Sequence, residues 1–297
     1  MDPIAQVLRE LRWHVDAVGV HLRGSASGSA VHPVRVDGAE AVLKVTMAGP
    51  GQVNARRELG FYRTMAGRVP VRTPRLLRYA DNDDFSALLL AAHPPAPPAC
   101  EWDRPRWLAL AGQLAALHSS PVPDRPSWLA TPWLRQILDD PPVDMAEEYW
   151  SRTGAGDKAG AVLAEPSALA AAIAASGVCF VHGDCHVGNL LRDGDSAVWA
   201  DWQQAGAGSP AVDLAFLCSR ADADGADLPY GAMLREYAAH RPCDVGALYR
   251  STIAAELGIL LFGWPEYAVH IGQTGRDRLT RRLLRLVDDW RVRAAWR

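Results

Sequence analysis

The sequence predicts an α+β fold, with a small part built on an antiparallel β-sheet followed by a larger, mainly helical part. Apolar residues alternate along residues 18–45 on both sides of a Gly/Ser stretch, and Asp37-Gly38 is typical of a tight hairpin turn. From residue 106 onwards, apolar residues recur mainly at helical spacing. The proline-rich stretch "HPPAPPACEWDRP" lies between these patterns, so residues 1–92 are predicted to form the first part and residues 93–297 the second.

The first part is predicted to contain two helices and five strands. The amphipathic segment "DPIAQVLRELRW" opens the chain as a helix, and its acidic first residue suits the helix dipole. Three short strands follow, of which the first two are separated by the loop "GSASGS". The segment "QVNARRELGFYRTMAG" is predicted to be a helix that Gly67 ends, and residues 73–92 give two strands joined by an acidic turn.

The second part is predicted to be helical over most of its length. Its helices are expected at residues 106–119, 144–153, 166–176, 211–220, 231–240, 245–261 and 275–295. The stretch from Pro121 to Pro142, rich in proline and tryptophan, predicts irregular structure. After the alanine-rich helix we expect a loop, a short strand, a tight turn at Asp193-Gly194 and a second strand that ends at Asp201.

Charge and cysteine usage argue against several classes of protein. The net charge of -3 gives no basic surface of the kind that nucleic acids require. The five cysteines never form a CxxC pair and the N-terminus shows no secretory leader, which predicts reduced thiols in a cytoplasmic protein. The most apolar stretch, residues 251–264, is interrupted by Glu256 and Gly258 and is too short to span a bilayer. It is predicted to be a buried helix, and no obligate protein partner is indicated.

The stretch "VHGDCHVGNLL", residues 181–191, concentrates polar side chains and admits three kinds of site. A zinc site would use His182, His186 and Cys185, but the remaining histidines are scattered singly and offer no paired ligands. A Cys185 nucleophile would need a base from elsewhere in the fold and a helix start that the pattern does not mark. The third kind is a phosphoryl-transfer site, which needs carboxylates, an amide and a lysine in a set order.

That order is present along the chain. Asp184 is followed, after four residues, by Asn189, and this is the interval of a kinase catalytic loop. Asp201 lies at the end of the second strand of the predicted hairpin, where a metal-binding aspartate is expected. Lys44 lies near the end of the strand "AVLKV", and Glu58 on the next helix could pair with it. A small-residue loop precedes them and supplies the candidate phosphate contacts Gly24, Ser25, Ser27, Gly28 and Ser29.

The sequence resembles the aminoglycoside phosphotransferase family, antibiotic and small-metabolite kinases with a protein-kinase-like fold. The matching segments are "HGDCHVGNLL", "VWADWQQAGAGSPAVDLA", "AVLKV" and "LALAGQLAALHSS". The resemblance implies a bilobal fold in which a small N-terminal lobe binds ATP or GTP. The larger lobe would carry the catalytic loop and the acceptor site.

The resemblance also implies roles for single residues. Asp184 matches the catalytic aspartate, and Asn189 and Asp201 match the Mg2+ ligands. Lys44 matches the lysine on the nucleotide phosphates, with Glu58 as its ion-pair partner. Asp213 matches an aspartate that braces the catalytic loop. The backbone from Leu89 to His93, with Leu90 and Ala92 as candidate contacts, would read the purine edge.

The sequence does not decide which class of molecule is the acceptor. The leading hypothesis is a kinase for a hydroxyl of an antibiotic or related natural product, and the alternative is a kinase for a metabolite such as a sugar, an amino alcohol or a homoserine-like compound. A nucleotide-binding regulatory protein without turnover is a third interpretation. Serines replace the full glycine set of a protein kinase, "DWQ" replaces DFG, and no activation segment is visible, which suits a small-molecule acceptor.

Overall fold

The structure, a computed structural model, describes residues 3–21, 28–124, 128 and 133–294. Its contacts divide the chain into two compact units. The first unit comprises residues 1–96 and 190–205, and the second comprises residues 97–189 and 206–297.

The first unit is an antiparallel five-stranded sheet with two helices. The helices are α1 (Pro3–Leu11) and α2 (Gln52–Thr64), and the strands are β1 (Ala17–Val18), β2 (Ala30–Val36), β3 (Ala39–Met47), β4 (Leu76–Asp81) and β5 (Phe85–Ala91). The strands lie in the sheet in the order β1-β2-β3-β5-β4. This arrangement confirms the predicted order of two helices and five strands.

The register of the sheet follows from the alternating pattern and from its turns. The hairpin between β2 and β3 turns at Asp37-Gly38, where both residues have positive φ. Alternate residues of β3 and β5 therefore face α1, and a buried apolar cluster forms between them that includes Val7, Leu43 and Phe85. Lys44, the neighbour of Leu43, points to the opposite face of the sheet.

A hairpin from later in the chain completes the first unit. It consists of β6 and β7, which we define as Leu190–Asp193 and Ser196–Trp199. The backbone N–H of Trp199 donates to Arg72 O at 2.8 Å, and that of Arg192 donates to Pro94 O at 2.8 Å. These backbone bonds hold the segment up to Ala96 and the later hairpin in one unit.

The second unit is mainly helical and has a short two-stranded sheet. Its strands are β8 (Cys179–Val181) and β9 (Gly206–Gly208), which pair in antiparallel fashion. Its helices are α3 (Arg104–His118), α4 (Trp133–Asp139), α5 (Val143–Ser151), α6 (Gly156–Leu163), α7 (Pro166–Ala174), α8 (Pro210–Ala223), α9 (Tyr230–His240), α10 (Val245–Gly258), α11 (Trp264–Tyr267) and α12 (Gln273–Ala294). Asp103 and Ser209 cap α3 and α8 through their side chains.

Several elements of the second unit were not predicted. Helix α4 lies in the stretch expected to be irregular, and α6 has glycine at its first and fifth positions, which lowers helix propensity. The strands β8 and β9 have only three residues each, too few for a periodic pattern. The second strand of the hairpin ends at Trp199 rather than at the predicted Asp201.

The apolar helix that the sequence predicted is longer than expected. Helix α10 continues through a π-helical turn, Ile259–Gly263, into α11, so that the helical segment Val245–His270 has 26 residues. By length and composition alone this segment could cross a membrane, which differs from the predicted length. However, 72% of its most apolar window is buried inside the protein, as in the core helix of a soluble domain.

Candidate active site

In the first unit, Lys44 is the hub of a buried ion cluster, which we call the lysine centre: Lys44, Glu58 and Asp201. The Nζ atom of Lys44 on β3 lies 2.6 Å from Glu58 Oε2 on α2 and 2.8 Å from Asp201 Oδ1. Glu58 is 1% exposed and Lys44 is 7% exposed. Within the first unit, the structure therefore brings these three predicted residues together.

Charge compensation keeps Lys44 protonated in this centre. Burial by itself lowers the pKa of Lys44, but the carboxylates of Glu58 and Asp201 outweigh it and raise the pKa above its usual value. One ammonium thus faces two carboxylates, which gives the centre a net negative charge. A buried centre of this kind favours a further cation.

Asp201 reaches Lys44 through an unusual backbone conformation. Its φ is 63°, in the left-handed region that aspartate tolerates better than most residues. The next residue, Trp202, is fully buried and stacks on Phe61 of α2 with ring centroids 3.9 Å apart and planes within 7°. Helix α2 therefore contacts this segment through Phe61 at Trp202, and it contacts Lys44 on β3 through Glu58.

The predicted phosphate loop falls partly outside the described residues. Gly24, Ser25 and Ser27 lie outside them. Gly28 has a φ of 72°, which requires glycine or a tolerant residue, and nothing lies within 4 Å of where its Cβ would be. The hydroxyl of Ser29 is buried and hydrogen-bonds the hydroxyl of Thr46 on β3 at 2.7 Å. Ser29 therefore anchors the end of the loop to the strand that carries Lys44.

The predicted purine-reading segment is partly engaged in the sheet. Leu90 pairs with Val42 in the ladder between β3 and β5. The N–H of Ala92 donates to Glu40 O at 3.3 Å, so it extends the same ladder. Because Pro94 and Pro95 have no N–H, the next backbone donor along this segment is that of His93.

In the second unit, the predicted catalytic loop, residues 182–189, holds Asp184 beside Asn189. The amide Nδ2 of Asn189 donates to Asp184 O at 2.9 Å and to Asp184 Oδ2 at 3.0 Å. The imidazole of His186 accepts from the N–H of Gly188 at 3.1 Å through Nδ1, and its Nε2 lies 3.8 Å from Asp184 Oδ1. The predicted pair of Asp184 and Asn189 is thus in direct contact.

Asp213 on α8 holds this loop through hydrogen bonds to its backbone, as the resemblance implied. Its Oδ2 accepts from His182 N–H at 2.8 Å and its Oδ1 from Gly183 N–H at 2.9 Å. His118 Nε2 lies 3.1 Å from the same Oδ2, and His118 Nδ1 lies 2.9 Å from the hydroxyl of Tyr237. Burial alone raises the pKa of Asp213, but the hydrogen bonds of His118 and His182 outweigh it and lower the pKa below its usual value.

The cysteines of this region are not activated. Cys185 is 1% exposed, and burial raises the pKa of its thiol well above the usual value. Burial likewise raises the pKa of Cys179 to about 12. Because a thiolate is the reactive form, Cys185 is not in the state that a nucleophile requires.

Asn189 in the second unit and Asp201 in the first each offer an oxygen atom of the kind that Mg2+ accepts. Because Nδ2 of Asn189 is used by Asp184, its Oδ1 remains as a carbonyl-type donor. Asp201 contacts Lys44 through Oδ1, and its second carboxylate oxygen takes no part in that contact. Mg2+ usually takes one or two protein oxygens together with substrate phosphates and water. Among the described residues, no group of three or more His, Cys, Asp and Glu side chains could hold a metal by itself.

Aromatic side chains that the sequence analysis did not assign lie beside the catalytic loop. The indole N–H of Trp133 donates to Gly183 O at 3.2 Å. The ring of Phe216 on α8 lies edge to face with Trp133 and with His186, at centroid distances of 5.7 and 5.9 Å. We call Trp133, Phe216 and His186 the aromatic wall. The only sequence signal for it was the high count of 11 tryptophans.

Solved structures share this fold across nearly the whole chain. An amicoumacin kinase in complex with AMP-PNP, Ca2+ and Ami has a TM-score of 0.66 at 14% identity, covering 97% of this chain and 94% of that one. A microcompartment-associated aminopropanol kinase has a TM-score of 0.65 at 16% identity, covering 93% of each chain. The phosphotransferase APH(3'')-Id from Streptomyces rimosus, with ADP and streptomycin, has a TM-score of 0.58 at 18% identity, covering 87% and 99%. These likenesses establish the protein-kinase-like α+β fold.

The fold, the lysine centre and the loop that holds Asp184 beside Asn189 are those of a phosphotransferase of the kinase-like class. The model of the phosphotransferase enzyme family matches residues 21–252, and the chain belongs to that family. This confirms the family that the motifs suggested. A search of curated proteins gives no significant match to the sequence.

Proposed function

We propose that the protein transfers the γ-phosphate of ATP or GTP to a hydroxyl of a small molecule, an antibiotic or a related natural product. The observation that carries this proposal is the contact of Asn189 with Asp184 in a loop that Asp213 fixes. Phosphoryl transfer depends on positioning and on charge neutralisation more than on covalent help from the protein. The catalytic loop and the lysine centre supply groups for both.

Asp184 is the group proposed to receive the proton of the acceptor. Its Oδ2 accepts from Asn189, which leaves Oδ1 to accept the hydroxyl proton. As the acceptor oxygen forms its bond to the γ-phosphorus, the bond from that phosphorus to the leaving oxygen of the nucleoside diphosphate breaks. The proton passes to Asp184 and later to solvent.

The remaining roles concern the nucleotide and its metal. Lys44 would pair with the phosphates, and Glu58 would hold Lys44 in place. Asn189 and Asp201 would each give an oxygen ligand to Mg2+. When bound, this ion neutralises charge on the transferred phosphoryl group. Gly28, Ser29 and the rest of the small-residue loop would contact the phosphates, and the segment containing Leu90 and Ala92 would contact the purine.

A metabolite kinase is the second candidate function. It is favoured by the likeness to an aminopropanol kinase, whose TM-score of 0.65 is close to the 0.66 of the amicoumacin kinase. A soluble, cytoplasmic enzyme suits either function, because both substrates would be small molecules inside the cell. Resistance conferred on a sensitive host would favour the antibiotic kinase over the metabolite kinase.

The test is release of nucleoside diphosphate from ATP or GTP with Mg2+, across a panel of antibiotics and hydroxylated metabolites. Asp184→Asn should lower kcat about 10²–10⁴-fold while nucleotide affinity stays nearly unchanged. Asp195→Asn, in the exposed turn of the β6–β7 hairpin, is the matched control and should behave as the wild type. Tight nucleotide binding without release for any acceptor would point instead to a nucleotide-binding regulatory protein.

A further inference from the structure

Helix α8 carries three side chains on one face that bear on the acceptor. Asp213, Phe216 and Arg220 are spaced by three and four residues, so they project in nearly the same direction. Asp213 holds the catalytic loop, and Phe216 contacts His186 and Trp133 of the aromatic wall. With a rise of about 1.5 Å per residue, Arg220 lies on the order of 10 Å along the axis from Asp213.

A second element brings Trp264 to the same place. The π-helical turn ends at Gly263, which packs close to Trp133. A Cβ atom added at Gly263 would lie 3.5 Å from the Trp133 ring. The next residue, Trp264, is 5% exposed, and its ring lies 5.6 Å from the guanidinium carbon of Arg220. The residue next to Trp133 is therefore followed directly in the chain by Trp264, which pairs with Arg220. Short π-helical turns inside α-helices are frequent at functional sites.

Both members of this pair have a buried donor without an acceptor. Among the described residues, neither Arg220 Nε nor Trp264 Nε1 has a hydrogen-bond partner, and no carboxylate forms an ion pair with Arg220. The Nε–H of Arg220 and the indole N–H of Trp264 can only donate, and burying such a donor without an acceptor is unfavourable. Arg282, by contrast, is matched by the buried carboxylate of Glu256 at 2.8 Å.

We propose that Arg220 and Trp264 form a subsite that receives a carboxylate of the acceptor, while the acceptor hydroxyl lies at Asp184. This inference rests on the proposed kinase function and narrows its substrate class. Two donor-only groups favour an anionic oxygen group and disfavour an ammonium. The spacing along α8 favours an acceptor whose hydroxyl and carboxylate are separated by a ring that packs on Phe216 and Trp133. A polycationic aminoglycoside does not match this subsite.

The test uses three acceptors on one frame: 4-(2-hydroxyethyl)benzoate, its primary amide and 4-(2-hydroxyethyl)benzylamine. The wild type should favour the benzoate over the amide at least about tenfold in KM, the difference between a charged and a neutral hydrogen-bond partner. Arg220→Gln should reduce this preference to about twofold or less, by raising KM for the benzoate more than KM for the amide. Arg220→Lys should restore part of the preference. A wild type that favours the benzylamine, or an Arg220→Gln variant that weakens all three acceptors equally, overturns the proposal.

A binding measurement separates this inference from the kinase function itself. The indole N–H signal of Trp264, assigned by its loss in Trp264→Phe, should shift when the benzoate is titrated into the wild-type protein. It should not shift in Arg220→Gln, whose melting temperature shows whether the variant is folded. A shift without phosphoryl transfer would count against the proposed function and support the subsite. Transfer to the benzoate with the Trp264 signal unmoved would count against the subsite alone.

Discussion

The lysine centre of the first unit and the Asp213 network of the second are both buried charged hubs, but they are satisfied in different ways. In the lysine centre, one ammonium serves two carboxylates, so negative charge is left over. In the Asp213 network, one carboxylate accepts from His182, Gly183 and His118, and the last of these continues to Tyr237. The first hub is incomplete without further positive charge, whereas the second is complete within the protein.

This difference separates a centre that handles ligand from one that supports it. A hub with excess negative charge gains from a metal ion and can share its lysine with phosphates. A hub whose oxygens are all used contributes to the rigidity of the loop above it. We therefore expect substitutions at Asp213 to act first on stability, and substitutions at Lys44 to act first on nucleotide use.

The largest effect is expected at Asp213. Asp213→Asn places an amide N–H2 against groups that are themselves donors, so at least one buried donor loses its acceptor. We expect the free energy of unfolding to fall by about 3–5 kcal/mol, the usual cost of disrupting a buried charged group. Urea unfolding of the variant, with Asp195→Asn as the exposed control, measures this. A loss below about 1 kcal/mol would show that the network is not a structural hub.

At Lys44 the expected effect is on turnover with nucleotide. Lys44→Met keeps most of the unbranched side chain and removes the ammonium, and we expect kcat/KM for the nucleotide to fall about 10²–10³-fold. Glu58→Gln keeps an acceptor for Lys44 and should cost less than Lys44→Met. Saturation kinetics at fixed Mg2+ check both. Equal losses in the two variants would mean that Lys44 acts mainly by holding the centre together.

The same contrast explains what the sequence could and could not predict. Lys44, Glu58 and Asp201 were predicted because each lies at a recognisable point of a local pattern. These points are a strand, a helix and the end of a hairpin. His118 and Tyr237 were missed because they lie 95 and 24 residues from Asp213 in the chain. No local periodicity reports contacts of that kind.

The helical elements show a similar limit. Long periodic helices such as α3 and α10 were predicted near their true positions, because burial on one face leaves a pattern. Helix α4 was missed because Trp133 and its neighbours follow a proline-rich stretch that favours irregular structure. That helix carries Trp133 to Gly183, so the missed element also concealed the aromatic wall.

The smallest effect we predict is in the pH dependence of stability. Because the pKa of Asp213 in the folded protein lies below its unfolded value of about 3.9, the unfolded chain binds the proton first as the pH falls. The stabilisation is present above about pH 4 and is lost as the pH falls through the folded-state pKa. One such proton steepens the pH dependence of the free energy of unfolding by up to about 1.4 kcal/mol per pH unit.

Unfolding followed between about pH 5 and pH 3 should show this steep region in the wild type and in Asp195→Asn, and a shallower one in Asp213→Asn. Equal slopes in all three proteins would mean that Asp213 titrates alike in the folded and unfolded states, and the network would then be no more than a neutral set of hydrogen bonds.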